Sequence, residues 1–132
     1  VNKLRLIFRG LAALFFVVAG ANHFRHPEIY LGMMPPWLPW PEMLNDLSGA
    51  AEIAGGISLL WAGTRRMAGW GLIALLVAVF PANLYVAMQG EMPGLEVSAT
   101  ALWWRLPFQA LFIAWVWWVA LARGKSTVVV GG

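Results

Sequence analysis

Glu52 stands inside an apolar run from Leu47 to Ala62, and Arg105 stands inside a second run from Ala99 to Ala122. A charge within a hydrocarbon-length segment is costly, so it turns toward protein and takes a partner. Two opposite charges in two such segments predict an ion pair. The chemistry open to that pair is acid–base work or hydrogen-bond acceptance at Glu52. Arg105 would balance the charge or stabilise an anion. The neighbouring polar residues gather in the same half of the sequence spans. Asn22 and His23 end the first apolar segment, Asn83 lies near the end of the third, and Gln109 follows Arg105 by four residues. Residues four apart share a helix face, which puts Arg105 with Gln109 and Ser48 with Glu52.

These positions can be placed by depth. At ~1.5 Å per residue, Glu52, Asn83 and Arg105 each lie ~8–9 Å from the outer end of their helices. The inner halves of the spans are almost free of polar groups. Two uses fit this layer. It can be a pocket in which Asn22, His23, Asn83 and Gln109 orient a ligand beside Glu52 and Arg105. It can equally be a lock, since a buried ion pair fixes register at little net stability. A path across the membrane fits poorly, because the polar residues stop halfway. His23, His26 and Glu28 have no dedicated metal-ligand spacing, so no metal site is read.

The elements that must carry these residues are helices. The chain has 132 residues, of which 61% are hydrophobic and 11% charged, with a mean hydropathy of +0.70. Soluble domains carry about 25% charged residues, so a small membrane domain is the expected class. Backbone groups in lipid must bond internally, which selects helices. Four apolar segments, Leu4–Asn22, Leu47–Ala62, Met67–Met88 and Ala99–Ala122, predict an all-α, four-helix transmembrane bundle over residues 1–125. A short flexible tail would follow at 126–132. A spanning helix needs ~20 apolar residues, and the second segment is the shortest, with room for an earlier start near Met43 in the interface. The first segment ends in Asn22-His23 without a clear cleavage site and is read as a retained span, not a signal peptide.

Charge sets the orientation. Lys3, Arg5, Arg9, Arg65, Arg66, Arg123 and Lys125 fall on one side of a four-span chain. Glu28, Glu42, Asp46, Glu91 and Glu96 fall on the other with Arg25. The positive-inside rule then places both termini in the cytoplasm. The net charge of +3 does not form a basic face, so no nucleic-acid partner is expected. The absence of Cys excludes disulfides and thiol redox chemistry by this chain alone.

Two further patterns matter for the site. Gly49, Ala50, Ala51, Ala54, Gly55 and Gly56 make the second span a small-residue helix. Such helices permit close backbone approach and put Glu52 toward the interior. Pro81 and Pro107 each remove an intrahelical donor beside Asn83 and Arg105. Between the first two spans, Pro35, Pro36, Pro39 and Pro41 alternate with Trp37, Leu38 and Trp40. That stretch is expected to be non-helical and folded onto the outer surface of the bundle, either as a rigid interfacial connector or as a functional lid over its outer mouth.

Gly20-Ala21-Asn22-His23-Phe24, Met34-Pro35-Pro36-Trp37-Leu38-Pro39, Ser48-Gly49-Ala50-Ala51-Glu52, Phe80-Pro81-Ala82-Asn83 and Arg105-Leu106-Pro107-Phe108-Gln109 occur in this order. In sequence and topology the chain resembles the DoxX-like integral membrane proteins over roughly Leu6 to Val119. The resemblance implies a four-helix bundle in the inner (plasma) membrane and an association with redox metabolism. Some proteins of that kind look like subunits of thiosulfate:quinone oxidoreductase, and others are linked to methylamine dehydrogenase maturation or to membrane oxidoreductase complexes containing a soluble partner. Two functions follow as expectations. One is binding or conversion of a lipophilic small molecule, quinone or isoprenoid-like, at Glu52 and Arg105. The other is a non-catalytic anchor or assembly subunit for a redox protein partner.

Overall fold

The computed structural model describes residues 2–91 and 98–122. Among them the chain is helical and has no strand: α1 (Asn2–Arg25), α2 (Pro27–Met33), α3 (Pro41–Ser58), α4 (Ala62–Gln89) and α5 (Ala99–Val116). A π-helical turn, Trp117–Leu121, continues α5. The expected tail at 126–132 lies outside the described residues, as do Glu96, Arg123 and Lys125.

Three helices, not four, are long and apolar enough to cross a membrane by composition: Lys3–Arg25 in α1, Ala62–Gln89, and Ala99–Leu121 through α5 and its π turn. The exception is α3. Its 18 residues carry Glu42, Asp46 and Glu52, so its sequence is too acidic to stand in lipid alone. Its small residues solve that problem by packing. A Cβ on Gly20 would fall 2.6 Å from the Gly49 carbonyl oxygen, and one on Gly56 would fall 2.9 Å from the Ala13 carbonyl oxygen. The two pairs run in opposite directions along the chain, so α3 lies antiparallel against α1 at backbone contact. The close approach is the membrane mode of helix packing, in which glycine removes the side-chain spacer.

Helix α2 was not expected. Pro27 supplies a fixed φ at its first position, where the missing N–H costs nothing. The helix then inserts Met33, which is buried with Val86, Ala87 and Leu102. The proline-rich connector behind it is non-helical, as its residues demand. Pro35 is buried, but Trp37 and Trp40 are 71% and 70% exposed. Their indoles face outward, as headgroup-level anchors do. Trp40 enters α3 with a left-handed φ of 49°, a conformation that is strained for a bulky residue.

At the opposite end, Ala12, Phe16, Leu59, Leu72, Val116 and Val119 form the main apolar core. Basic residues close that end. The Arg9 Nε donates to the Val119 carbonyl at 2.9 Å, Arg5 donates to the Ala122 carbonyl, and the Arg65 Nε donates to the Leu59 carbonyl at 2.9 Å. Here arginines satisfy helix-terminal carbonyls that have no intrahelical donor. Trp115 also belongs to the packing and not only to the lipid boundary: its Nε1 donates to the Phe8 carbonyl at 3.0 Å.

The two apolar clusters bracket the site. On α4 the order is Leu72, Asn83, Val86; on α5 it is Leu102, Arg105, Gln109, Val116. Each helix therefore passes from packed hydrocarbon through a polar layer. The polar side chains sit in the gap between two cores.

Candidate functional site: a polar cavity between two apolar cores

The cavity has a volume of about 190 Å³. Its polar wall is made by His23, Tyr30, Glu52, Asn83, Arg105 and Gln109. Phe15, Phe16, Phe108 and Phe112 are among the apolar residues that complete it. Every candidate residue except Asn22 lines this one space. The side chains come from α1, α2, α3, α4 and α5, so the cavity exists only when the whole bundle is assembled.

Glu52 and Arg105 share the cavity, and His23 also approaches Glu52. His23 Nε2 lies 3.3 Å from Glu52 Oε2, and the two side chains are only 9% and 14% exposed. This approach of His23 to Glu52 is a contact that the sequence reading did not name. The cause is the close contact of α1 with α3. A Cβ on Gly49 would lie 2.8 Å from His23 Cβ, and this closeness brings His23 over the turn that carries Glu52. Glu52 Oε2 is buried and accepts no hydrogen bond. His23 Nε2 faces this oxygen, and a carboxylate oxygen keeps acceptor capacity beyond one such partner. Arg105 lies within electrostatic reach of Tyr30.

His23 is held from three sides. Its Nδ1 lies 2.8 Å from Asn45 Oδ1, and Asn45 Nδ2 donates to the His23 carbonyl at 3.0 Å. Its ring stacks on Tyr30 with centroids 3.7 Å apart and planes at 20°. Asn45, 1% exposed, was missed at the sequence level. A signal for it exists: Pro27 stands four residues after His23, so the His23 carbonyl has no helical donor. A buried carbonyl without a partner demands one from elsewhere, and the Asn45 amide supplies it.

This arrangement fixes the imidazole. The main-chain carbonyl can only accept, so the Asn45 NH2 must face it and Oδ1 must face Nδ1. Nδ1 therefore carries a hydrogen. Nε2, directed at Glu52, is the position where protonation can change.

Asn83 and Gln109 meet, with Asn83 Nδ2 donating to Gln109 Oε1 at 2.6 Å. Gln109, 4% exposed, donates onward to the Leu76 carbonyl. That carbonyl adjoins the one left without a donor by Pro81. Much of this amide pair's capacity is thus spent on closing the cavity wall. Asn22 does not line the polar cavity. It donates to the Tyr30 hydroxyl at 2.8 Å, so its role is to hold the residue that stacks on His23. Tyr30, carried by the unforeseen α2, is the second site residue missed in the sequence.

Among the described residues there is no group of three or more His, Cys, Asp or Glu arranged to hold a metal ion. The arrangement can bind a polar group of limited size, accept a hydrogen bond at Glu52, and hold a proton between His23 and Glu52.

No curated protein and no solved structure matches the chain. Residues 11–120, which include every residue that lines the cavity, match one family, and the chain belongs to it: Domain of unknown function (DUF8561).

Proposed function

We propose that the protein is a four-pass bundle of the inner membrane that binds a lipophilic small molecule by its polar head, in the cavity beside His23, Glu52 and Arg105. A quinone or an isoprenoid-like lipid is the proposed class, and the resemblance to DoxX-like proteins supports a link to membrane redox metabolism. One observation carries the reading. A 190 Å³ cavity with a buried, unsatisfied carboxylate oxygen persists between two well-packed cores, where a purely structural lock would have closed. Drug-sized ligands occupy about 300–1,000 Å³, so this space takes a head group while the remainder of the ligand stays in apolar surroundings. Native mass spectrometry of the purified protein released from nanodiscs is the test. A retained lipophilic molecule is expected, with at least a tenfold loss in Ala19→Phe, whose new ring fills the cavity from α1. An empty wild-type bundle accompanied by a co-purifying soluble protein would instead favour the anchor role.

The topology is part of the proposal. In its support, α3 lies along α1 from the level of His23 to that of Ala13, and Arg9 lies within electrostatic reach of Arg5 and Arg65. Clustered Arg and Lys favour the cytoplasmic side. Because the chain has no Cys, single cysteines at Ser126 and Glu91 report sidedness directly. Labelling from opposite sides of sealed vesicles is expected; labelling of both from one side would sink the four-pass assignment.

A further inference from the structure

A second cavity adjoins the polar one. It has a volume of about 550 Å³ and an almost wholly apolar lining that includes Phe8, Leu111, Ala114, Trp115 and Trp118. The two cavities share Phe108 and Phe112. A polar chamber and an apolar groove with a common wall fit one amphiphile better than two ligands.

The size of the chamber identifies the head. A cavity of about 150 Å³ accommodates benzene, so about 190 Å³ holds one six-membered ring with a small substituent. Aromatic residues already bound the space. Phe15 and Phe112 stack with centroids 4.9 Å apart and planes at 19°, and a ring entering beside them gains the same offset contact. The polar wall identifies the substituent. Glu52 Oε2 is buried and accepts no hydrogen bond. His23 faces it, held by Asn45 through two hydrogen bonds. A carboxylate oxygen beside one charge partner still has acceptor capacity, and a hydroxyl group on the ring would be a donor for it.

Resting on the lipophilic-ligand reading above, we propose that the occupant is a single-ring phenol with an alkyl tail: the ring hydroxyl donates to Glu52 Oε2, and the tail lies in the groove between α1 and α5. Asn45 and His23 are positioning residues that hold the carboxylate oxygen toward the ring. Tyr30 and Arg105 complete the polar surroundings.

The test is equilibrium binding of tritiated 4-decylphenol to the full chain in nanodiscs, with empty nanodiscs subtracted. 4-Decylanisole and decylbenzene serve as competitors. The anisole keeps the ring oxygen and loses the donor; the benzene loses both. Saturable binding is expected, with the anisole at least about tenfold weaker than the phenol, as loss of a hydrogen bond to a charged group implies. Glu52→Leu should bring the phenol and the anisole to within about twofold of one another. Ala114→Trp, which obstructs the groove, should weaken the phenol while keeping its advantage over the anisole. Should Glu52→Leu fail to fold, Glu52→Gln provides the same comparison, with the phenol's advantage reduced. Equal competition by all three compounds at a saturable site would overturn the phenol assignment and leave a lipophilic-ligand site standing. Absence of any saturable binding would overturn both.

Discussion

Gly49→Leu is expected to prevent assembly of the bundle. Even a Cβ at this position would meet His23 Cβ and Phe24 Cε2 at 2.8 Å and the Gly20 carbonyl oxygen at 2.9 Å. One of these contacts is backbone, which cannot swing aside as a side chain can. Adding methylene groups to a packed interior usually costs about 1–3 kcal/mol, and a four-carbon side chain against a neighbouring helix lies at or beyond the upper limit. The consequence is larger than one lost contact. Separating α3 from α1 removes the packing that partly buries Glu52. It also parts His23 from Glu52 and Asn45. Loss of the monodisperse species on size-exclusion chromatography in mild detergent is the expected readout. Gly63→Leu is the control, because a Cβ there meets nothing within 4 Å. Equal tolerance of the two substitutions would show that the α1–α3 contact does not hold the fold.

The same contact explains what could and could not be read from the sequence. Apolar length reveals α1, α4 and α5, because lipid enforces it on any helix that faces lipid. It misplaces the edges of α3, which begins at Pro41 and not at the first apolar residue, since its outer turns face α2 and water as well as hydrocarbon. The polar layer was legible because a buried charge must find other polar groups, and depth along a helix is simple arithmetic. The contact of His23 with Glu52 was not legible. Depth places Arg105 and His23 near Glu52 alike. Only the close approach at Gly20 and Gly49 decides that His23 reaches it. Asn45 falls on the outer part of α3, and nothing in its own neighbourhood marks it as buried. Its signal sits 18 residues away, in a proline that deprives the His23 carbonyl of a donor. Tyr30 was hidden for another reason. The stretch after Arg25 reads as the start of a proline-rich connector, and one proline at a helix start looks much like a proline in a loop.

The partner assignment leads to the second large effect. His23→Leu is expected to cost about 3–5 kcal/mol, the range for removing one member of a buried ion pair. It leaves Glu52 facing an apolar group, leaves Asn45 Oδ1 without its donor, and ends the stacking on Tyr30. Glu52→Gln should cost much less, under about 1 kcal/mol. Asn45 keeps the hydrogen on Nδ1, so Nε2 of a neutral His23 is an acceptor, and the glutamine amide can donate to it. This asymmetry follows from the imidazole's fixed tautomer. A pair without it would lose comparable stability from either side. A double-mutant cycle assigns the partner. Residues in contact couple by about 0.5–3 kcal/mol, whereas independent sites add to within about 0.3–0.5 kcal/mol. With Glu52→Ala as the common variant, coupling to His23→Leu should fall in the first range and exceed coupling to Arg105→Gln. Resistance to unfolding by sodium dodecyl sulfate in mixed micelles supplies the free energies. Stronger coupling to Arg105 would make the Glu52–Arg105 pair the centre of the site. His23 would then be a bystander held in place by Asn45.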